Sequence, residues 1–232
     1  MSFKGQASTG HMQLSISTLN MSAFTAGLTG FRFLPASTPD VLDFKGFIAG
    51  STKDAQDVYT NTFDMAILPP AFGNKGLLRF VKVGAGTADV WFGEWSRTDH
   101  TAATPYRDRT VFFAGLAADA MMPSGALFTL ATKGVCRYAE VGALQGTLSA
   151  ESLMLSVGGT LENAAKTFKL DLGSVMMGLD GTVVGTQATV THNGTTVTGG
   201  QVKGQFYNNH QQLCGTVTFA DVRFNVAFGG AR

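Results

Sequence analysis

Four histidines, His11, His100, His192 and His210, are the residues of this chain whose chemistry needs placing first. Neutral imidazole is the commonest protein ligand for a transition metal, and it holds haem iron where apolar side chains bury the porphyrin. His11 and His100 sit in irregular segments near apolar residues: Met12, Met21 and Phe24 for the first, Trp95 and Tyr106 for the second. That setting suits an apolar crevice offering one or two imidazoles. His192 and His210 flank the turns "THNGTT" and "NNHQQ" and read as solvated turn residues. The triplet "GHM" around His11 also matches the scar of a cloning junction, so native ligand and debris are both open readings of that residue.

Other chemistry is thinly represented. There is no H-E-x-x-H, no G-x-S-x-G elbow and no Walker A sequence. "GAGTAD", from Gly84, joins two strand-like segments, whereas a dinucleotide fingerprint needs a helix to follow. Asp99 could orient His100, but a backbone turn explains "TDH" equally well. Cys136 and Cys214 are too few for a disulfide framework and lack zinc-knuckle spacing, leaving one bridge or two buried thiols. The expectation is a binding protein and not an enzyme.

Composition narrows the partners. Lys and Arg number 17 against 16 Asp and Glu, a formal charge of +1, so the basic stripe of a nucleic-acid binder is missing. No apolar run reaches the roughly 18 residues of a membrane-spanning helix. "MSFKGQASTG" lacks the apolar region of a signal peptide, which leaves a cytosolic protein or a mature form with its leader removed.

The elements that must position these residues read as strands. Glycine contributes 29 residues, and from Gly125 onward short β-branched and aromatic segments alternate with Gly, Asn or Asp turn signals. Phe168, Leu170 and Leu172 share one face while Thr167, Lys169 and Asp171 share the other. Asn193-Gly194 is a hairpin signal, and Ala220-Asp221, where the alternation from Val217 to Phe228 slips once, reads as a hairpin tip or bulge. About eight strands over this length suffice to close a small antiparallel barrel. The first half is less regular. "LLRFVKVGAG" and "ADVWFGEWS" predict a hairpin in which Leu78, Phe80 and Trp91 share a core, "RTVFFAG" adds a strand, Pro39 suggests a helix start, and "ILPPAFGNKG" must be loop. A soft boundary at Asp119 to Gly125 divides the chain into 1–120 and 121–232. The nine methionines, among them Met121-Met122 and Met176-Met177, read mainly as core filling, with an adaptable partner-binding surface as the alternative.

Several phrases together resemble one known group. "FKGQASTGH", "VWFGEWS" followed by "RTVFFAG", "PSGALFTLATKGV", "VKGQFYNNHQQLCGTVTF" and "FNVAFGGAR" are similar to the haemophilin-type, Slam-dependent secreted proteins and surface lipoproteins of Gram-negative bacteria. Their C-terminal barrel is similar to that of transferrin-binding protein B. The resemblance spans nearly the whole chain and implies an all-β fold: an N-terminal β-rich handle or clamp domain carrying the ligand loops, then a C-terminal eight-stranded antiparallel β-barrel that directs export through the Slam outer-membrane translocator. It implies capture of haem, iron protoporphyrin IX, with delivery to an outer-membrane haem receptor. The protein would then be secreted or at the cell surface, and a host haem protein is a further candidate partner. His11 becomes native sequence, and His11 and His100 become candidate axial ligands; Arg97, Arg107 and Arg109 are candidates to meet the haem propionates. Other members of the group bind host proteins instead, so a surface module without haem is the alternative. A third reading is a barrel holding a small lipophile in its lumen, as lipocalins do. If the first and last barrel strands pair, a Cys136–Cys214 disulfide becomes geometrically open.

Overall fold

The computed structural model describes residues 3–7, 12–16, 29–33, 42–43, 48–62, 77–84, 89–96, 110–116, 118–121, 127–136, 143–151 and 154–232. Described regular structure is almost entirely β, in three sheets.

From the C-terminal half come β10 (Phe128–Val135), β11 (Leu144–Glu151), β12 (Ser156–Glu162), β13 (Phe168–Asp171), β14 (Val175–Met177), β15 (Thr182–His192), β16 (Thr195–Tyr207), β17 (Gln212–Thr218) and β18 (Val226–Ala231). They form one antiparallel sheet that closes on itself. β13 and β14 both lie between β12 and β15, so these two segments make a single stave, interrupted where Gly173 adopts a positive φ. Nine segments therefore give an eight-staved barrel, the architecture expected from the sequence.

Period-two patterning explains its interior. Phe168, Leu170 and Leu172 point inward and are fully buried, as their alternation with Thr167, Lys169 and Asp171 predicts. Leu130, Leu148, Leu161, Phe206, Leu213 and Phe228 meet them from other staves. The lumen is thus a packed core, which overturns the lipocalin-like reading: side chains occupy the space a lipophile would need. Asn193 and Gly194, both at positive φ, make the β15–β16 turn that their pairing predicts.

One local expectation is corrected, and the choice left open for the two cysteines falls to buried thiols. Val222 and Phe224 are not strand residues; with Arg223 they form a 3-10 turn whose N-cap is Asp221, the carboxylate accepting from the Arg223 backbone N–H. Asn225 Oδ1 accepts from Phe219 N and ties the two sides of this connection together. Cys136 and Cys214 are both free. β18 lies between β10 and β17, so two inter-strand spacings, about 9.6 Å, separate the staves that carry the thiols, beyond the reach of a disulfide. Cys136 donates weakly to Arg223 O and packs with the lumen, while Cys214 faces out of the barrel.

The N-terminal half supplies β1 (Phe3–Ala7), β5 (Thr52–Lys53), β6 (Tyr59–Thr62), β7 (Leu77–Lys82), β8 (Val90–Ser96) and β9 (Thr110–Leu116), ordered β1-β9-β8-β7-β6-β5. A smaller sheet holds β2 (Met12–Ile16), β3 (Thr29–Phe33) and β4 (Leu42–Asp43). The helix expected after Pro39 is corrected by β4: ladder pairing of Leu42 and Asp43 with β3 overrides local helix chemistry. Residues 38–41 and the expected loop at 67–76 lie outside the described residues.

The six-stranded sheet lies on the outer wall of the barrel, with β8 and β9 over β17 and β18. Val81, Val83, Val90, Phe92, Val111 and Phe113 pack against Tyr207, Cys214 and Ala227. Absent side chains let the backbones approach: a Cβ at Gly115 would stand 2.5 Å from the Tyr207 ring, and one at Gly229 would stand 2.6 Å from Phe92.

Candidate functional site

β8 reads Val90-Trp91-Phe92-Gly93-Glu94-Trp95-Ser96 and is buried at every position. Its even-numbered residues face the barrel. Its odd-numbered ones, with Leu78, Phe80 and Phe112 from the neighbouring strands, form the opposite face, where Trp91 and Trp95 are among the largest fully buried side chains. Leu78, Phe80 and Trp91 share this face as expected, with the Phe80 and Trp91 rings 5.8 Å apart. Trp91 Nε1 donates to Asp89, and the Lys82 ammonium stands 5.9 Å from the Trp91 ring centre. On the barrel side, Arg79 Nη1 donates to the fully buried Glu94 at 3.0 Å. Both faces of the central strands are therefore fixed, giving a rigid platform for whatever attaches to their ends.

One end of that platform gathers the chain connections that matter. β1 and β8 are each antiparallel to β9, so they run in the same direction. β1 ends at Ala7, paired with Phe112, and Trp95, one residue before the end of β8, pairs with Thr110, two residues nearer the start of β9. The chain thus leaves β1 toward residues 8–11 and β8 toward residues 97–109 from the same edge, two inter-strand spacings or about 10 Å apart. β6 and β7 are joined there too, since Leu77 is the ladder partner of Ser96.

The five residues expected to hold a ligand, His11, His100, Arg97, Arg107 and Arg109, lie outside the described residues. The other two histidines have structural surroundings. His192 stands between the Phe168 and Phe224 rings beside the β15–β16 turn, and burial first, then Arg223, lowers its pKa from the usual value. His210 Nε2 contacts Met121 O at 2.7 Å, and its ring packs edge-on against Phe206. Among the described residues, no three His, Cys, Asp or Glu side chains gather as a metal site, and no helix is long and apolar enough to cross a membrane.

Sequence reading missed a cleft of about 580 Å³ between the sheet edge and the barrel, lined by Val81, Val83, Tyr59, Lys53, Asp57 and Lys133 among others. Asp57 bridges Lys53 and Lys133 there, each 2.7 Å away. Lys133 comes from 76 residues downstream of Asp57, so no local pattern announces the pair.

Comparison with known proteins decides the family. Residues 2–106 match the HphA N-terminal heme-binding domain, and residues 120–232 match the HphA C-terminal domain. The chain belongs to the HphA family. The resemblance read from its sequence phrases is thereby borne out, and its N-terminal match is to a family of heme-binding domains. HpuA from Kingella denitrificans, solved in complex with human haemoglobin, is similar in structure over 100% of this chain and 87% of its own, with a TM-score of 0.57 and 18% identity. Transferrin-binding protein B from serogroup B Neisseria meningitidis matches over 75% of this chain and 43% of its own, with a TM-score of 0.47 and 16% identity. The HpuA likeness shows a shared fold.

Proposed function

We propose that this HphA-family protein is a haemophore: a secreted or surface-exposed binding protein of a Gram-negative bacterium that captures iron protoporphyrin IX and passes it to an outer-membrane receptor. One observation carries the reading within the heme-binding family: β1 and β8 release the chain toward His11 and His100 from one edge of a single rigid sheet. Segments leaving about 10 Å apart are close enough to present side chains to one ligand. His11 and His100 would hold the iron, which supplies the bond that retains the porphyrin. Arg97, Arg107 and Arg109, in the segment that carries His100, would meet its propionates as paired donors. Residues 1–120 then act as the ligand-binding handle and residues 121–232 as the barrel that directs export through Slam. The reading is of a carrier, not an enzyme.

Haem titration followed at the Soret band tests it. Wild type should give a saturable shift to a six-coordinate, low-spin spectrum. His11→Ala and His100→Ala should each convert it to a five-coordinate or weakly bound form. If both variants bind as wild type does, the assignment fails. A second reading, a module that binds a host protein without haem, is favoured by the fold shared with HpuA, which was solved with human haemoglobin. It expects no Soret shift and direct retention of haemoglobin by the apo protein.

A further inference from the structure

The cleft between the sheet edge and the barrel has no part in the haem reading, and its walls have a chemistry of their own. β8 and β9 rest on β17 and β18, whereas the β5–β6 edge reaches the barrel through polar groups: Lys133 Nζ on β10 donates to Gln56 O and to Asp57, each at 2.7 Å. Between that bridge and the packed line where Val83 and Phe92 meet Gly229, the two layers stand apart. The barrel side of the gap carries almost no side-chain bulk, because Ala131, Gly229, Gly230 and Ala231 line it. About 580 Å³ is left, within the range that takes a small organic molecule.

Charge narrows the kind of molecule. Three lysines, Lys53, Lys82 and Lys133, line the cleft against one carboxylate, Asp57. Both Asp57 oxygens are taken, Oδ1 by Lys53 and Oδ2 by Lys133, each at 2.7 Å, so a single negative charge is shared among three positive ones. The acids just outside the lining serve other donors: Asp54 Oδ1 accepts from the backbone N–H groups of Gln56 and Val58, and Asp89 accepts from Trp91 Nε1. Arg232 also lines the cleft, but its guanidinium lies 3.5 Å from the centre of the Phe128 ring and is left out of the balance. An excess of two positive charges therefore stands in one recess of a chain whose bases and acids otherwise nearly cancel, 17 against 16. An ammonium has three donor hydrogens. Lys53 spends one on Asp57, and Lys133 spends two on Asp57 and Gln56, so each keeps a donor for a further oxygen. Lys82, 5.9 Å from the centre of the Trp91 ring, adds to the field from the sheet side.

We propose that this cleft binds a small organic molecule bearing at least two negative charges, as phosphate or carboxylate groups, held between Lys53 and Lys133 with its body along Val81, Val83 and Ala131. Asp57 acts there as a resident counter-anion, and the ligand competes with it for the two ammoniums. The site shares no residue with the segments that carry His11 and His100, so it stands whether or not the protein takes haem.

Isothermal titration calorimetry of the full chain at one moderate ionic strength tests the proposal, with citrate, inorganic phosphate and glucose 6-phosphate as probes, glucose as the uncharged control, and thermal melts confirming that each variant is folded. At least one of the anions should bind saturably at a single site while glucose does not, and the anion that binds tells carboxylate from phosphate chemistry. Lys53→Gln should weaken that binding at least about fivefold. It leaves the Asp57–Lys133 bond in place, so the loss does not come from loosening the two halves. Ala131→Phe fills the recess without changing its charge and should weaken binding as much. Asp57→Asn removes the competing carboxylate and should tighten it at least about threefold. Lys203→Gln takes the same charge from an exposed position on β16 and should leave it unchanged. Failure of all three anions to bind saturably overturns the proposal, as does binding that survives Lys53→Gln and Ala131→Phe or that Lys203→Gln weakens equally.

Discussion

The Asp57 carboxylate, at the edge of the six-stranded sheet, accepts from Lys133 Nζ on barrel stave β10 at 2.7 Å and so ties the two halves of the molecule together. Lys133 first, then Lys53, hold this carboxyl at about 2, below its ordinary 3.8. A carboxyl lowered by folding stabilises fully above 3.8, and its contribution is lost as pH falls through about 2. Because the pair is exposed, Asp57→Asn should cost no more than about 1 kcal/mol at neutral pH, less in high salt. Urea melts of wild type and variant should converge as pH falls from 4 to 2; a difference that persists at the acid end would count against the latch.

Arg79 and Glu94 make a pair of another kind, because the Glu94 side chain is fully buried beneath the sheet. Arg79→Met removes a cationic partner from a carboxylate that has no water to turn to, and should cost about 3 kcal/mol. Arg79→Met combined with Glu94→Leu should recover much of that loss. Chemical denaturation of the three variants checks this, and additive losses in the double variant would contradict it.

Gly115 is where the sheet comes closest to the Tyr207 ring. Gly115→Ala places a methyl group 2.5 Å from a fully buried aromatic carbon, so either β9 or β16 must move. The expected cost is about 1–3 kcal/mol. Differential scanning calorimetry should show a lowered midpoint, and an unchanged one would mean that the junction is looser than its packing implies.

The thiols should behave as buried groups. Burial pushes Cys214 well above the ordinary cysteine range, opposed only in part by its hydrogen bond with Tyr207. Native protein should react slowly with a thiol reagent and release two equivalents on unfolding, with an intact mass that reductant does not change. A two-dalton gain on reduction would reveal a bridge.

Strands with one wet and one dry face were legible in the sequence, because period two writes itself directly into Phe168 to Leu172. β8 and β9 were legible only as apolar runs: buried on both faces, they carry no alternation to show which side meets the barrel. The 3-10 turn at Val222 escaped because Val, Phe and Arg at alternate positions also suit a strand, and the deciding contacts, Asp221 to Arg223 and Asn225 to Phe219, are made by capping side chains. Of the ligand site, four histidines could be ranked by their neighbours, but the common edge of β1 and β8 depends on β9 lying between them. Partners such as Ala7 and Phe112, more than 100 residues apart in sequence, hold no sign of that ladder.

The position of β18 between β10 and β17 sets an order of events for a newly made chain. Until Val226–Ala231 is available, β10 lacks a neighbour on one side, the barrel cannot close, and half of the surface on which β8 and β9 rest does not exist. The first strands to emerge must wait for the last, a pairing of high sequence separation that slows folding. The ladder on both sides of β18 is therefore a late clasp: it is the pairing of Val226–Ala231 with β10 and β17 that turns a row of hairpins into a closed wall.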